Sequence, residues 1–198
     1  MALGPFDRGR AEAAVRELLL ALGFDPDREP ELLDTPARVA TAYGQELLRG
    51  YSVDLAGTIA RGSEPIEGPW PDAIVVDGIQ VVTVCPHHLM TGEGQALVAY
   101  LPGERLLGLG TVAKVVDAVS RRLVLQERIA GDVVDALMNH AGARGAFCRV
   151  HLRHACLRAR GPEQHSAEAI SFAGRGAFED PANLELLLGR RLTGDTTP

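Results

Sequence analysis

The sequence predicts an α+β fold in which antiparallel strand pairs lie on either side of a central pair of helices. Two patterns favour this class. Several segments repeat apolar residues at helical spacing, and β-branched runs between them are separated by turn residues. With 198 residues, 46% of them apolar and 23% charged, the chain is long enough for one domain with a sizeable core. It contains no run of about 18 apolar residues of the kind that crosses a membrane.

Residues 1–70 are expected to form a helical N-terminal region. Apolar residues at helical spacing from 10 to 22 predict a first helix, and Thr35-Pro36 predicts the start of a second helix, which Gly50 ends. Residues 51–71 are rich in Gly, Pro, Ser and acidic residues without any period, and we expect them to form a loop.

Residues 71–198 are expected to continue the same domain as its main region. The β-branched runs on either side of Asp77-Gly78 predict a hairpin at that dipeptide, and residues 95–101 predict a third strand. Two helices are expected next. The first has its apolar stripe over residues 112–123, and the second has a stop signal at Gly142.

The last part of the chain returns to strands. Residues 146–157 alternate between apolar and polar side chains and predict a strand, with residues 169–173 as its partner. Asp180-Pro181 then predicts the start of a short leucine-rich helix that ends near Gly189.

Charge and cysteine usage restrict the partners of the chain. Lys and Arg number 20 against 26 Asp and Glu, a formal net charge of −6, so no general attraction to nucleic acid or to an anionic membrane is expected. The three cysteines are an odd number, and the first residues lack the apolar segment of a secretory signal. We therefore expect a reduced, cytoplasmic protein whose cysteines serve metal binding or catalysis.

Cys85 and the histidines that follow it are a candidate metal site. Cys-x-x-His is a spacing at which one turn brings a thiolate and an imidazole onto the same ion. If Cys156 completes the site, then Cys85, His88 and Cys156 suit Zn²⁺ and leave a fourth position for water, which is typical of a catalytic zinc. Two alternatives stay open: a structural zinc with a fourth protein ligand, and cysteines that only pack in the core, as we expect of Cys148.

The alternating pattern of the strand predicted over residues 146–157 continues to Arg160, and its C-terminal part carries polar residues. Because side chains alternate along a strand, four of them are expected to share one face: His154, Cys156, Arg158 and Arg160. Two guanidinium groups beside a bound cation need an anion, and phosphate is the natural candidate. Glu127, at the junction of the two central helices, is either an exposed site residue or part of an ordinary solvated charge run.

In their order along residues 30–185, several motifs resemble those of the GTP cyclohydrolase I family. They are Thr35-Pro36-Ala37-Arg38-Val39-Ala40, Cys85-x-His87-His88-Leu89, Tyr100-Leu101-Pro102, Gly108-Leu109, Arg121-Arg122-Leu123, Gln126-Glu127-Arg128, His154-x-Cys156 and Arg160-Gly161. The resemblance implies the tunnelling fold, in which subunits join their antiparallel sheets into a homo-oligomeric ring, expected here to be a decamer. It also implies a zinc-dependent hydrolase that converts GTP to 7,8-dihydroneopterin triphosphate and formate.

The same resemblance implies a role for each matching residue. Cys85, His88 and Cys156 are expected to bind zinc, and His87 and His154 to transfer protons. Glu127 is expected to accept the N1 and N2 hydrogens of guanine with the help of Gln126. The triphosphate is expected to contact three cations: Lys114, Arg158 and Arg160.

The sequence departs from the family pattern at two places in this site. Pro86 replaces a glutamate, and Gly110-Thr111 replaces a serine and a lysine, so that one cation is lost and a single hydroxyl is kept. Such a change predicts affinity for GTP about 10- to 100-fold weaker than with the lysine. Two alternatives therefore stay open: a divergent paralogue that acts on another guanine-type purine, and a non-catalytic, ring-forming binding protein.

Overall fold

The computed structural model describes residues 5–68 and 70–180, and within them the fold is α+β, as predicted. The helices are α1 (Arg8–Ala21), α2 (Thr35–Thr41), α3 (Leu55–Arg61), α4 (Leu109–Ser120), α5 (Gln126–Ala141) and the short α6 (Ala155–Arg158). The strands are β1 (Ser63–Pro65), β2 (Ile74–Val84), β3 (Thr91–Leu101), β4 (Arg105–Leu107), β5 (Gly145–His154) and β6 (Ala169–Gly176). The helix expected to end near Gly189 lies outside the described residues. A helix that could span a bilayer is not found in the part of the chain described.

The main sheet has the antiparallel strand order β2-β3-β5-β6, and α4 and α5 cover one of its faces. Their apolar stripes, expected from the sequence, fill the core between sheet and helices. Fully buried members of this core include Val81, Val98, Val112, Val115, Val133 and Leu137. The order hairpin, helix pair, hairpin is therefore confirmed.

The second helix ends earlier than predicted. After α2 the chain widens into a π-helical turn over Ala42–Leu47 and then tightens into a 3₁₀ turn over Arg49–Ser52. The Leu48 amide donates to the Tyr43 carbonyl, five residues back, at 3.2 Å. A single regular helix up to residue 50 was therefore the wrong expectation.

The 3₁₀ turn fastens the N-terminal region to the C-terminal end of α4. The Gly50 amide donates to the Arg121 carbonyl at 3.0 Å. Arg49 donates to both carboxylate oxygens of Asp117, at 2.7 and 3.0 Å, and the Arg122 guanidinium donates to the Gly50 carbonyl at 3.2 Å. These bonds need the two backbones in direct contact, which the absence of a side chain at Gly50 permits.

The expectation that residues 51–71 form a loop is wrong in part, because this stretch contains α3 and β1. The Asp54 side chain caps α3 by accepting from the Gly57 amide at 3.0 Å, and Ile59 is fully buried beneath it. β1 pairs with β4 as a small second sheet. A seven-residue helix with one buried side chain is too short to show a helical period, which explains the error.

The hairpin expected at Asp77-Gly78 is also wrong, since β2 runs straight through this dipeptide. The register with β3 shifts by one residue between Val76 and Ile79, and Gly78 has a φ of 71°. Both features identify a β-bulge, in which two residues face one on the partner strand. The true hairpin loop lies at residues 85–90, between β2 and β3.

β5 ends at His154, three residues earlier than predicted. Its last pair with β3 joins His154 to Gly92, and β3 extends only one residue further, to Thr91, while the pairing with β6 has already ended at Leu152. The following residues turn into α6. The expectation that His154, Cys156, Arg158 and Arg160 share one strand face is therefore wrong.

Gly50→Ala is expected to lower the free energy of unfolding by about 1–3 kcal/mol, because overpacking forces the backbones apart. A Cβ there would lie 2.3 Å from the Ala118 carbonyl oxygen and 2.7 Å from that of Arg121. Gly131→Ala, inside α5, is the matched control, because nothing lies within 4 Å of where its Cβ would be. Its free energy of unfolding is expected to rise by up to about 1 kcal/mol. Urea denaturation measures both, and equal stability of the two variants would contradict the tight contact.

Candidate active site

The loop between β2 and β3 presents a cysteine and two histidines. Cys85 directly follows β2, and its amide donates to the Met90 carbonyl at 2.9 Å. Within the loop the Leu89 amide donates to the Cys85 carbonyl, also at 2.9 Å. His87 and His88 are exposed at the tip, with their rings edge to face at 6.2 Å. Two backbone bonds thus close the loop around these side chains.

Cys85, His88 and Cys156 are brought together at this loop. Their ligand atoms all lie within 4.8 Å of one another, and Cys85 Sγ is 3.8 Å from His88 Nδ1. Ligands bound to one tetrahedral zinc at 2.0–2.3 Å lie roughly 3.3–3.8 Å apart, so the 3.8 Å separation of Cys85 and His88 fits such an ion. The other separations, at most 4.8 Å, exceed this range by about 1 Å or less. Two thiols and one imidazole are also donors that zinc prefers.

Cys156 reaches this cluster through α6 and not as a strand residue. The helical turn after His154 brings its half-buried thiol back towards Cys85. Burial raises the pKa of the Cys156 thiol, and the adjacent Cys85 raises it further, while Arg160 has the opposite effect. Cys148 is fully buried, and burial raises its pKa to about 12, as expected of a packing residue.

His154 is held by Gln126, the first residue of α5. The Gln126 side-chain nitrogen donates to the carbonyls of Val150, at 3.3 Å, and Ala169, at 2.7 Å, which turns its oxygen towards His154. His154 Nε2 lies 2.5 Å from that oxygen and must donate to it. Neutral His154 therefore carries its proton on Nε2 and leaves Nδ1 as an acceptor.

Glu127 lies beside His154 at the start of α5, where its side chain is exposed. Burial lowers the pKa of His154, whereas the Glu127 carboxylate acts in the opposite direction. The neighbouring Gln126 is 5% exposed, with its amide committed to protein groups. An exposed carboxylate thus lies beside a half-buried imidazole, two residues before Cys156.

The cations expected to bind an anion are not all near this cluster. Arg160 lies close enough to influence the Cys156 thiol, and the Arg158 side chain donates to the His165 carbonyl at 2.8 Å. Lys114 is exposed in the first half of α4, whereas the cluster lies beyond the C-terminal end of that helix, where Val84 pairs with Leu123. Seven residues of helix advance by about 10 Å, so Lys114 lies about that far along α4 from the end next to the cluster.

Thr111 faces inwards, contrary to the expectation that its hydroxyl stays available to an anion. The hydroxyl donates to the Gly62 carbonyl at 2.9 Å, and the residue is 7% exposed. Gly110 is exposed and has nothing within 4 Å of where a Cβ would lie. The dipeptide therefore adds neither a charge nor an accessible hydroxyl to the surface of α4.

Sequence reasoning missed an ion cluster on the sheet face opposite the core. Glu168 accepts from Arg153 at 2.6 Å and lies 2.5 Å from His151 Nε2, and the pair lowers the pKa of its carboxyl. These residues line a cavity of about 560 Å³ that extends to Arg158. The alternation along β5 was the signal that could have revealed it, since His151 and Arg153 occupy successive outward positions.

Comparison with known proteins gives one family. The model of the GTP cyclohydrolase I family matches residues 11–189. GTP cyclohydrolase 1 of Leifsonia xyli is 41% identical over 177 residues, 89% of this chain and 91% of that protein. GTP cyclohydrolase 1 of Thermobifida fusca is 37% identical over 194 residues, 93% and 90% of the two chains. The crystal structure of the archaeosine synthase QueF-Like in the apo form aligns with a TM-score of 0.45 at 19% identity, covering 54% of this chain and 96% of that one.

Gln126→Leu is expected to release His154 from a single tautomer, because the acceptor for Nε2–H is removed. Nitrogen-15 shifts of the labelled imidazoles, recorded where His154 is neutral, are expected to show Nε2–H in the native protein and a mixture in the variant. Gln164→Leu is the control, since the Gln164 side-chain amide donates to the Pro162 carbonyl and not to the imidazole. A native protein with the proton on Nδ1 would contradict the hydrogen-bond pattern.

Proposed function

The chain belongs to the GTP cyclohydrolase I family, and on that premise we propose that it is a zinc enzyme whose metal is held by Cys85, His88 and Cys156. It is a hydrolase that converts GTP to 7,8-dihydroneopterin triphosphate and formate. The observation that carries the zinc proposal is the approach of three ligand atoms to within 4.8 Å of one another. When bound by three protein ligands, zinc supplies a Lewis acid that activates water for hydrolysis.

Two histidines move protons in the proposed reaction. Protonated His154 donates the proton on Nδ1 to N7 of the purine as C8 is attacked, because its Nε2 proton is held by Gln126. His87, on the exposed loop, donates to the ribose oxygen. Hydrolysis of both C8–N bonds consumes two waters and releases C8 as formate. The ribose then opens and rearranges, and reclosure through N7 returns one water. Net, one water is consumed for each GTP.

Glu127 is the proposed anchor of the guanine base. A carboxylate accepts the N1 and N2 hydrogens of guanine side by side, and adenine cannot present this pair. The position of Glu127 beside His154 supports the proposal, because the base and the proton donor must meet at one purine. Gln126, expected to assist in holding guanine, has its amide engaged with His154 and two carbonyls. We therefore assign it to the orientation of His154.

Lys114, Arg158 and Arg160 are the proposed contacts of the triphosphate. We also propose a homo-oligomeric ring, a decamer with sites at subunit borders, in which Lys114 reaches the triphosphate of its own or of a neighbouring subunit. β2 and β6 are the edge strands of the sheet among the described residues, and edges of this kind pair readily with another chain.

We also propose that the whole chain works as one domain in the cytoplasm. Residues 1–70 are fastened to the main region, residues 71–198, through Gly50 and Arg49 at α4. Three unpaired cysteines, two of them at the candidate metal site, suit a reducing compartment.

One observation favours a second candidate, a divergent paralogue acting on another guanine-type purine. The inward hydroxyl of Thr111 leaves fewer groups for a triphosphate than the sequence suggested. Incubation of the purified, zinc-loaded protein with GTP and measurement of formate decides between them. Release of formate from GTP supports the primary proposal, whereas release only from another guanine nucleoside or nucleotide supports the second. Guanine binding without formate from any of them indicates a non-catalytic binding protein.

Cys156→Ser is expected to abolish stoichiometric zinc binding and formate release, because a serine hydroxyl does not ionise and bind the metal as a thiol does. Elemental analysis and the formate assay measure the two effects. Cys148→Ala is the control, since Cys148 lies in the core, and it is expected to keep its zinc. Full zinc occupancy in Cys156→Ser would show that the ligand set is wrong.

Lys114 offers a direct test of triphosphate contact, because it is the only lysine of the chain. We expect GTP to protect its amine from acylation and guanosine to leave it reactive, as followed by peptide mass spectrometry. Lys114→Met is expected to raise the KM for GTP about 10- to 100-fold, whereas Lys114→Arg, which keeps the charge, changes it less. Equal protection by guanosine and GTP would remove Lys114 from the triphosphate site.

A further inference from the structure

The π-helical turn after α2 brings a tyrosine to the loop that holds the cysteine and histidines. Tyr43 lies in this turn, and its hydroxyl donates to the backbone carbonyl of Leu89. Leu89 directly follows His88. A residue of the N-terminal region therefore touches the chain one position beyond a proposed metal ligand.

Leu89 has an uncommon backbone conformation. Its φ is 55°, and among the described residues other than glycine only Leu89 and Glu163 have a positive φ. For a side chain such as leucine this conformation costs on the order of 1–2 kcal/mol. The Leu89 side chain is 52% exposed, so burial of the side chain does not explain it.

The hydrogen bonds of Leu89 explain how the conformation is held. Its amide donates to the Cys85 carbonyl, and its carbonyl accepts from Tyr43. The first bond lies within the loop, whereas the second comes from a segment fixed separately to α4 through Gly50. Tyr43 thus clamps the loop from a rigid support outside it.

We propose that Tyr43 is a positioning residue for the metal site: by holding Leu89 in its left-handed conformation it keeps His88 and Cys85 oriented for the ion. The inference rests on the proposed zinc site. Outer groups that orient metal ligands typically contribute 10- to 100-fold to metal affinity, because ligands already in place lose less freedom on binding. The π-helical turn over Ala42–Leu47 sets the direction of the Tyr43 side chain towards Leu89.

Tyr43→Phe tests the proposal by removing only the hydroxyl. We expect the zinc-loaded full-length variant to transfer its metal to a chromophoric chelator about 10- to 100-fold faster than the native protein. Tyr51→Phe is the matched control. Tyr51 lies in the 3₁₀ turn that follows, and its hydroxyl donates at 3.4 Å to the Leu123 carbonyl, which lies beside Val84 of β2 and is not part of the loop over residues 85–90. Its zinc release is expected to match that of the native protein.

Leu89→Asn separates the clamp from general destabilisation. Asparagine adopts positive φ more readily than leucine, and the exposed position allows the exchange. We expect Leu89→Asn to recover much of the zinc retention lost in Tyr43→Phe, which a merely structural role of Tyr43 would not predict. Thermal unfolding of the metal-free variants monitors the fold.

The outcomes distinguish this inference from the proposal beneath it. Native protein without stoichiometric zinc would overturn the metal site itself. Native protein that holds zinc, with equal release rates from Tyr43→Phe and Tyr51→Phe, would overturn the positioning role alone. Faster release from Tyr43→Phe that Leu89→Asn leaves unchanged would also overturn it, because the loss would then not act through Leu89.

Discussion

The candidate site depends on the register of three strands at Gly92. This residue of β3 lies opposite Thr83 of β2 on one side and His154 of β5 on the other. The ends of two strands from distant parts of the sequence therefore lie on either side of β3, and Cys85 and Cys156 lie just beyond them. Glycine is required there, since a Cβ would lie 2.8 Å from His154 Nδ1. The loop over residues 85–90 and α6, which carry the candidate metal ligands, begin at these strand ends.

The elements predicted correctly are those whose local pattern is also what the core requires. The apolar stripes of α4 and α5 follow the helical period because each helix buries one face against the sheet. The Asp77-Gly78 dipeptide is typical of a hairpin turn, but it also suits a β-bulge. It forms a bulge here because β3 is long enough to pair with β2 on both sides of it. β5 ends at His154 close to where the neighbouring strands end, since β6 pairs only as far as Leu152 and β3 extends one residue beyond Gly92. No local pattern in the sequence predicts this.

For the site, the Cys-x-x-His spacing predicted that Cys85 and His88 lie together. Cys156 was added only conditionally from the residues and as a ligand from the family resemblance, and its path differs from the expected strand. The hydrogen-bond partners of neutral polar side chains could not be predicted from the sequence in this way. Thr111 and Gln126 have side chains suited to a ligand, yet their hydrogen bonds go to backbone carbonyls. A hydroxyl or amide has the same appearance in a sequence whether it faces a pocket or a neighbouring strand, so only the packing decides.

The bulge in β2 has a consequence for how such chains change in length during evolution. At Asp77 and Gly78 two residues face one on β3, and the ladder is regular on both sides. A residue gained or lost at this point leaves the pairing from Ile79 to Val84 intact, with Cys85 still at the end of the strand. The same event between Ile79 and Val84 would turn the following side chains to the opposite face and move the cysteine away from its partners. Insertions and deletions in relatives are therefore expected to concentrate at the bulge and to be absent from the stretch that follows it.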